Sequence, residues 1–113
     1  MKAISEILPL SRVVLDMEAS SKKRLFEQVA KLLHEQGGLP QSDVFDCLVA
    51  RERLGSTGLG HGVAMPHGRH ADVQAACGVF VRLKEAVDLD APDNKPVSLV
   101  FVLLVPESAT GEH

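Results

Sequence analysis

The run from Pro96 to Val105, Pro-Val-Ser-Leu-Val-Phe-Val-Leu-Leu-Val, is apolar at nearly every position and rich in β-branched residues. A strand with no polar face belongs inside a sheet, so this run predicts a central strand covered on both faces. It is far too short for a membrane helix, which needs roughly 20 apolar residues, and no membrane insertion is expected. Cys77 to Leu83, Cys-Gly-Val-Phe-Val-Arg-Leu, reads as a second strand, and Asp93-Asn94-Lys95-Pro96 as the turn before the central one. Val13, Val14 and Leu15, followed by Asp16, read as a third strand. Ahead of these runs the period changes. Leu25, Phe26, Val29, Leu32 and Leu33 make one stripe of an amphipathic helix, capped by Ser20 or Ser21 and stopped after Gln36 by Gly37-Gly38. Val44, Phe45, Leu48 and Val49 repeat the spacing in a second helix that Ser42 would cap and that runs to about Arg53. A chain of 113 residues holds one core, so strands and helices mixed in this way predict a single α/β layered domain.

Charge narrows the partners. Twelve Lys and Arg stand against 15 Asp and Glu, a formal net of -3, and no basic run interrupts that mild acidity. A binder of phosphate backbones shows a basic stripe, so nucleic acid is not expected as a partner. The first residues lack an apolar stretch followed by a small-residue cleavage site, and a cytoplasmic protein is expected. Cys47 and Cys77 form no Cys-x-x-Cys pair and are read as two reduced thiols.

The unusual content lies between the second helix and the later strands. Gly55, Gly58, Gly60, Gly62 and Gly68 crowd the stretch Gly-Ser-Thr-Gly-Leu-Gly-His-Gly-Val-Ala-Met-Pro-His-Gly. So many glycines permit positive φ and close backbone approach, at an entropic cost that a plain connector avoids; a sheet edge or loop mouth is the expected place. The segment is not a Walker loop, since no lysine lies between Arg53 and Lys84. Nor is it a dinucleotide fingerprint, because no strand-to-helix crossover surrounds it. It does carry His67 between Pro66 and Gly68, a stiff and sterically open frame for an imidazole. Neutral imidazole is nucleophilic near pH 7 and can attack phosphorus. Ser56, Thr57, glycine amides such as that of Gly68, and Arg51, Arg53 and Arg69 could receive the phosphoryl oxygens. Residues alone leave two readings open, a nucleophile and an ordinary turn histidine. A third, a metal-binding module on His61, His67 and His70, lacks the ligand count and spacing of a metal site, and no metal or cofactor is expected. His34 and His70 read as solvent-facing, and Asp88, Asp90 and Asp93 as turn residues.

The run Arg51-Glu52-Arg53-Leu54-Gly55-Ser56-Thr57-Gly58-Leu59-Gly60-His61-Gly62-Val63-Ala64-Met65-Pro66-His67-Gly68-Arg69 resembles the signature of the mannitol/fructose-type enzyme IIA domains of the bacterial phosphotransferase system, and within them the nitrogen-regulatory branch. Gly78-Val79-Phe80-Val81, Asp93-Asn94-Lys95-Pro96-Val97 and Leu103-Leu104-Val105-Pro106 extend the likeness. Two positions depart from it, His61 where relatives often have asparagine and Met65 where they have isoleucine. The resemblance implies a mixed sheet flanked by helices over residues 1–113. His67 would be the phosphoryl acceptor through Nε2, Arg51 the neighbour of the phosphoryl group, and His113 the second histidine of the site. It implies no cofactor, because the donor is a histidine-phosphorylated carrier protein. The outcome would be regulation through target proteins; the alternative is transfer to a sugar-specific IIB domain. Family members continue past the second histidine into helices that cover the sheet, so a shortened C-terminal part, an uncovered apolar face and self-association are expected.

Overall fold

A computed structural model describes residues 13–107. The chain runs β1 (Val13–Met17), α1 (Lys22–Gly37), α2 (Gln41–Arg53), β2 (Gly58–Gly60), β3 (Val63–Ala64), β4 (His67–His70), β5 (Cys77–Val87) and β6 (Val97–Pro106). Six strands form one mixed sheet in the order β1-β5-β6-β3-β2, with β4 also paired to β6. The expected α/β layering is present.

Helix α1 forms where the apolar stripe and its punctuation predict it. Ser21 accepts a hydrogen bond from the Arg24 amide at 3.2 Å, and Gly38 closes the helix in the left-handed region at φ 71°. Its stripe Leu25, Phe26, Val29 and Leu33 is buried. Helix α2 starts one residue before the expected Ser42 cap. Pro40 takes the cap position without a side-chain bond, because its fixed φ of -62° leads straight into the turn that the Val44 amide closes on the Pro40 carbonyl at 3.0 Å.

Strand β6 is the hub of the sheet. It pairs antiparallel with β5 and parallel with β3 and β4, its register matching Val63 to Leu99 and His67 to Leu103. Strands β3 and β4 therefore lie end to end along one side of β6, broken at Met65-Pro66, where proline has no amide to offer a ladder. The expectation of a strand covered on both faces needs correction. Val97, Val100, Val102 and Leu104 are fully buried and join Val79 and Val81 of β5, the α1 stripe, and Val44 and Leu48 of α2 in one core. The alternate row, Leu99, Phe101, Leu103 and Val105, is only partly covered by the described residues. Both helices supply the same core, so a pleat of period two sends every second β6 side chain away from them. Sequence pattern missed this because both rows are equally apolar.

The glycine-rich segment, expected at a sheet edge or loop mouth, is built of β2, β3 and the start of β4, with β2 at the sheet edge as expected. The β2–β3 hairpin turns at Gly60-His61-Gly62, all three in the left-handed region at φ 86°, 56° and 78°. Histidine is among the few side-chain-bearing residues that tolerate that region, as asparagine does. The Asp93 carboxylate accepts from the His61 amide at 2.9 Å and ties this turn to the one before β6. Both oxygens of Asp93 serve backbone amides, those of His61 and Lys95, and these hold its carboxyl below the usual value.

Candidate functional site

Two elements bring the site together. The last turn of α2 delivers Arg51, and the break at Met65-Pro66 delivers His67 as the first residue of β4. Arg51 Nε donates to His67 Nε2 at 3.1 Å. A guanidinium has no acceptor, so Nε2 must carry the lone pair and the ring proton must sit on Nδ1. Nδ1 lies 3.2 Å from the Met65 carbonyl oxygen and donates to it. These two contacts fix the neutral tautomer whose free electron pair is on Nε2. The second arm of the guanidinium, Nη1, donates to the Gly55 carbonyl at 2.9 Å, so Arg51 is anchored while its remaining N–H groups stay available for an anion.

The other residues expected in the site have separate work. Thr57 is 7% exposed, and its hydroxyl donates to Glu52 Oε1 at 2.6 Å, not to an open site. The Ser56 hydroxyl donates to the Leu89 carbonyl at 3.2 Å and accepts from the Gly58 amide at 3.1 Å. Gly68 lets helix and sheet touch. A Cβ there would collide with Sγ of Cys47 on α2, so glycine is the residue the packing admits. Cys47 donates to the Arg69 carbonyl at 3.1 Å, and burial pushes its thiol pKa up. Both cysteines are free, and Arg53 and Arg69 are exposed. His113, expected as the second histidine, lies outside the described residues.

The remaining histidines divide. His34 is exposed, as expected, with Nδ1 donating to the Leu39 carbonyl at 2.8 Å. His70 is not solvent-facing: its side chain is 16% exposed, takes the Asp72 amide on Nδ1 at 3.0 Å and approaches Asp43 through Nε2 at 3.4 Å. It closes a turn after β4. Among the described residues no three His, Cys, Asp or Glu side chains gather to hold a metal, and no helix is long and apolar enough to cross a membrane.

Sequence reasoning passed over Glu52. Its side chain is 7% exposed, yet it receives the Thr57 hydroxyl, the Thr57 amide at 3.4 Å and Lys22 Nζ at 2.9 Å. One signal was present. A carboxylate in the last turn of α2 and a lysine in the first turn of α1 each oppose their own helix dipole, and two misplaced charges need one another. Burial works against the charge on Lys22, but Glu52 and Asp90 outweigh it and hold its pKa above the usual lysine value.

Comparison with known proteins gives the family and the fold. The family described as the phosphoenolpyruvate-dependent sugar phosphotransferase system, EIIA 2, matches residues 6–113. The chain is 46% identical over 113 residues to the nitrogen regulatory protein of Pseudomonas aeruginosa, covering 97% of itself and 72% of that relative. The crystal structure of nitrogen regulatory protein IIA-Ntr from Neisseria meningitidis superimposes with a TM-score of 0.91 at 66% identity, over 97% of this chain and 75% of that one. Enzyme IIA mannitol in its complex with phosphorylated enzyme IIB mannitol from Escherichia coli shares the fold, with a TM-score of 0.72 at 21% identity over 88% of this chain and 70% of that one. With a matching family over almost its whole length and two close relatives of one kind, the chain belongs to the EIIA 2 family of the phosphoenolpyruvate-dependent sugar phosphotransferase system.

Proposed function

We propose that this chain accepts a phosphoryl group on Nε2 of His67 from a histidine-phosphorylated carrier protein, and that the resulting phosphohistidine serves nitrogen-related regulation in the cytoplasm. Family members act as phosphoryl carriers. The observation that carries the reading is the pair of contacts on one imidazole, Nδ1 to Met65 and Nε2 to Arg51, because a phosphoryl acceptor needs a lone pair on one nitrogen and a proton held on the other.

In the transfer, the Nε2 lone pair attacks phosphorus in line. A new N–P bond forms, and the P–N bond to the carrier breaks with its electron pair returning to the carrier's ring. The Met65 carbonyl takes up part of the positive charge that grows on the His67 ring. Arg51, still anchored through Nη1 on the Gly55 carbonyl, turns its Nε–H from the lone pair to a phosphoryl oxygen, where a preorganised donor stabilises the transition state most. His113 is assigned the second-histidine role. Residues 1–113 act as one EIIA unit in this reading. Adding a charge of about -1.5 to -2 to the half-buried His67 side chain is enough to change which target protein is bound.

The test is the mass of the protein after incubation with phosphoenolpyruvate, the general phosphotransferase enzyme and its histidine carrier. One phosphoryl group that is lost in mild acid and kept in alkali is expected. His67→Ala should abolish it, Arg51→Ala should slow it about 10²-fold or more, as loss of a transition-state donor does, and His113→Ala should slow it as well. Labelling of His67→Ala at the wild-type level would sink the reading. Capture of a target by only one phosphorylation state supports regulation, whereas onward transfer to a sugar-specific IIB domain would replace it with the uptake role.

A further inference from the structure

Thr57 spends every polar group it has. Its hydroxyl and its amide both go to the Glu52 carboxylate, and its carbonyl accepts from the Met65 amide at 3.0 Å. The hydroxyl bond, at 2.6 Å, has the short length of a charge-assisted one, and it sits beside a carboxylate that is itself almost wholly buried. Desolvating a carboxylate is costly, and an apolar pair of equal volume would fill the same space. What a carboxylate adds is direction.

That direction leads to the imidazole along one short path: the Glu52 carboxylate fixes Thr57, the Thr57 carbonyl fixes the Met65 amide, and the carbonyl of Met65 holds the proton on Nδ1 of His67. The route to the other ring nitrogen leaves Glu52 by its main chain alone: the Glu52 backbone carbonyl accepts from the Gly55 amide at 3.2 Å, and the Gly55 carbonyl holds Nη1 of Arg51 while Nε reaches Nε2 of His67. Lys22 closes the network from α1 and keeps the carboxylate neutralised. We infer that the buried Glu52–Thr57 pair is the positioning device of the His67 imidazole: it sets the tautomer of His67 without touching the phosphoryl group. This rests on the reading of His67 as phosphoryl acceptor.

Thr57→Val removes the hydroxyl at nearly constant volume, and Thr57→Ser restores it. Imidazole ¹⁵N shifts of the intact chain, recorded without any phosphate donor, report the His67 tautomer. In Thr57→Val the Nδ1–H form should give way to Nε2–H, and transfer at saturating carrier should fall about tenfold, within the range that small misplacements produce. KM for the carrier should stay within about twofold, since no docking contact is lost. Thr57→Ser should bring tautomer and rate back. A role confined to stability would lower the melting temperature yet leave the tautomer of the folded protein unchanged, and that result overturns the inference. Should Thr57→Val fail to fold, Glu52→Gln keeps the volume and one acceptor oxygen; the same tautomer shift supports the inference, and a wild-type tautomer with a wild-type rate overturns it. If the wild-type chain takes up no phosphate, the proposed function fails, and the tautomer measurement still judges the positioning by itself.

Discussion

Strands β5 and β6 and the segment β2 to β4 belong to one sheet but are held by different forces. The β5–β6 pair is long and regular, and its inward row, Val79, Val81, Val100, Val102 and Leu104, is sealed against the helices. The β2–β4 segment has few buried side chains of its own. Beyond the ladders of β3 and β4 with β6, it and the residues that lead into it are held by single polar bonds: Asp93 on the His61 amide, Ser56 on Leu89, Thr57 on Glu52, and Arg51 on Gly55. Apolar burial is strong and indifferent to direction, whereas a hydrogen bond is weak and sets an angle. The difference teaches a division of labour, with one region supplying stability and the other aiming His67.

Truncation in the platform should therefore cost stability and leave the chemistry alone. Leu104 is wholly buried opposite Gly68 in the β4–β6 register, so Leu104→Ala should lose about 2 to 5 kcal/mol by denaturant titration. At a temperature where the variant is still folded, phosphoryl uptake on His67 should proceed at the wild-type rate. A large rate loss in fully folded Leu104→Ala would break the division.

The boundary between the regions lies at Gly68, next to His67 and in contact with α2. Gly68→Ala places a methyl group on Cys47 Sγ, and should cost about 1 to 3 kcal/mol as an overpacked contact. Because β4 must move away from the helix that carries Arg51, transfer should slow too. Removing the sulfur tests the cause directly. The double variant Gly68→Ala with Cys47→Ala should be more stable than the sum of the two single changes implies, by about 0.5 kcal/mol or more, the size of coupling seen between residues in contact. Strict additivity would show that the collision is not what Gly68 avoids.

How much of this was legible in the sequence follows the same division. Helix α1 could be read with its ends because the stripe from Leu25 to Leu33, the Ser21 cap and Gly38 all act within a few residues of each other. The existence of β6 was equally plain, but the pattern did not show its one-sided burial, since Leu99, Phe101, Leu103 and Val105 are as apolar as their inward neighbours; the expectation of an uncovered apolar face came from the family resemblance alone. Strands β2, β3 and β4 were not legible as strands: glycine leaves no alternation to read, and β3 and β4 pair with β6, some thirty-five residues later, while β2 pairs with β3. The Pro66-His67-Gly68 frame drew attention to the imidazole from local chemistry. Arg51 acquired a definite role through family resemblance, and Glu52 through neither route, because its partners Lys22 and Thr57 lie on separate elements.

The smallest effect falls on an exposed polar bond. Asp93 is exposed, and its carboxylate accepts the His61 and Lys95 amides, at 2.9 and 3.1 Å. Those bonds favour the charged carboxylate in the folded chain, so its pKa lies below the ordinary 3.8. A carboxyl with a depressed folded pKa contributes stability at pH values above the unfolded one, and that contribution disappears as pH falls through the folded value. The His61 and Lys95 amide resonances should therefore shift together on acidification with a midpoint below 3.8, while the Val79 and Val81 amides of β5 stay in place. Asp93→Asn, which cannot titrate, should remove the transition. A common midpoint at or above 3.8, or simultaneous movement of β5, would mean that the hairpin is held by the platform after all, and the division between the two regions would end at the β2–β3 turn.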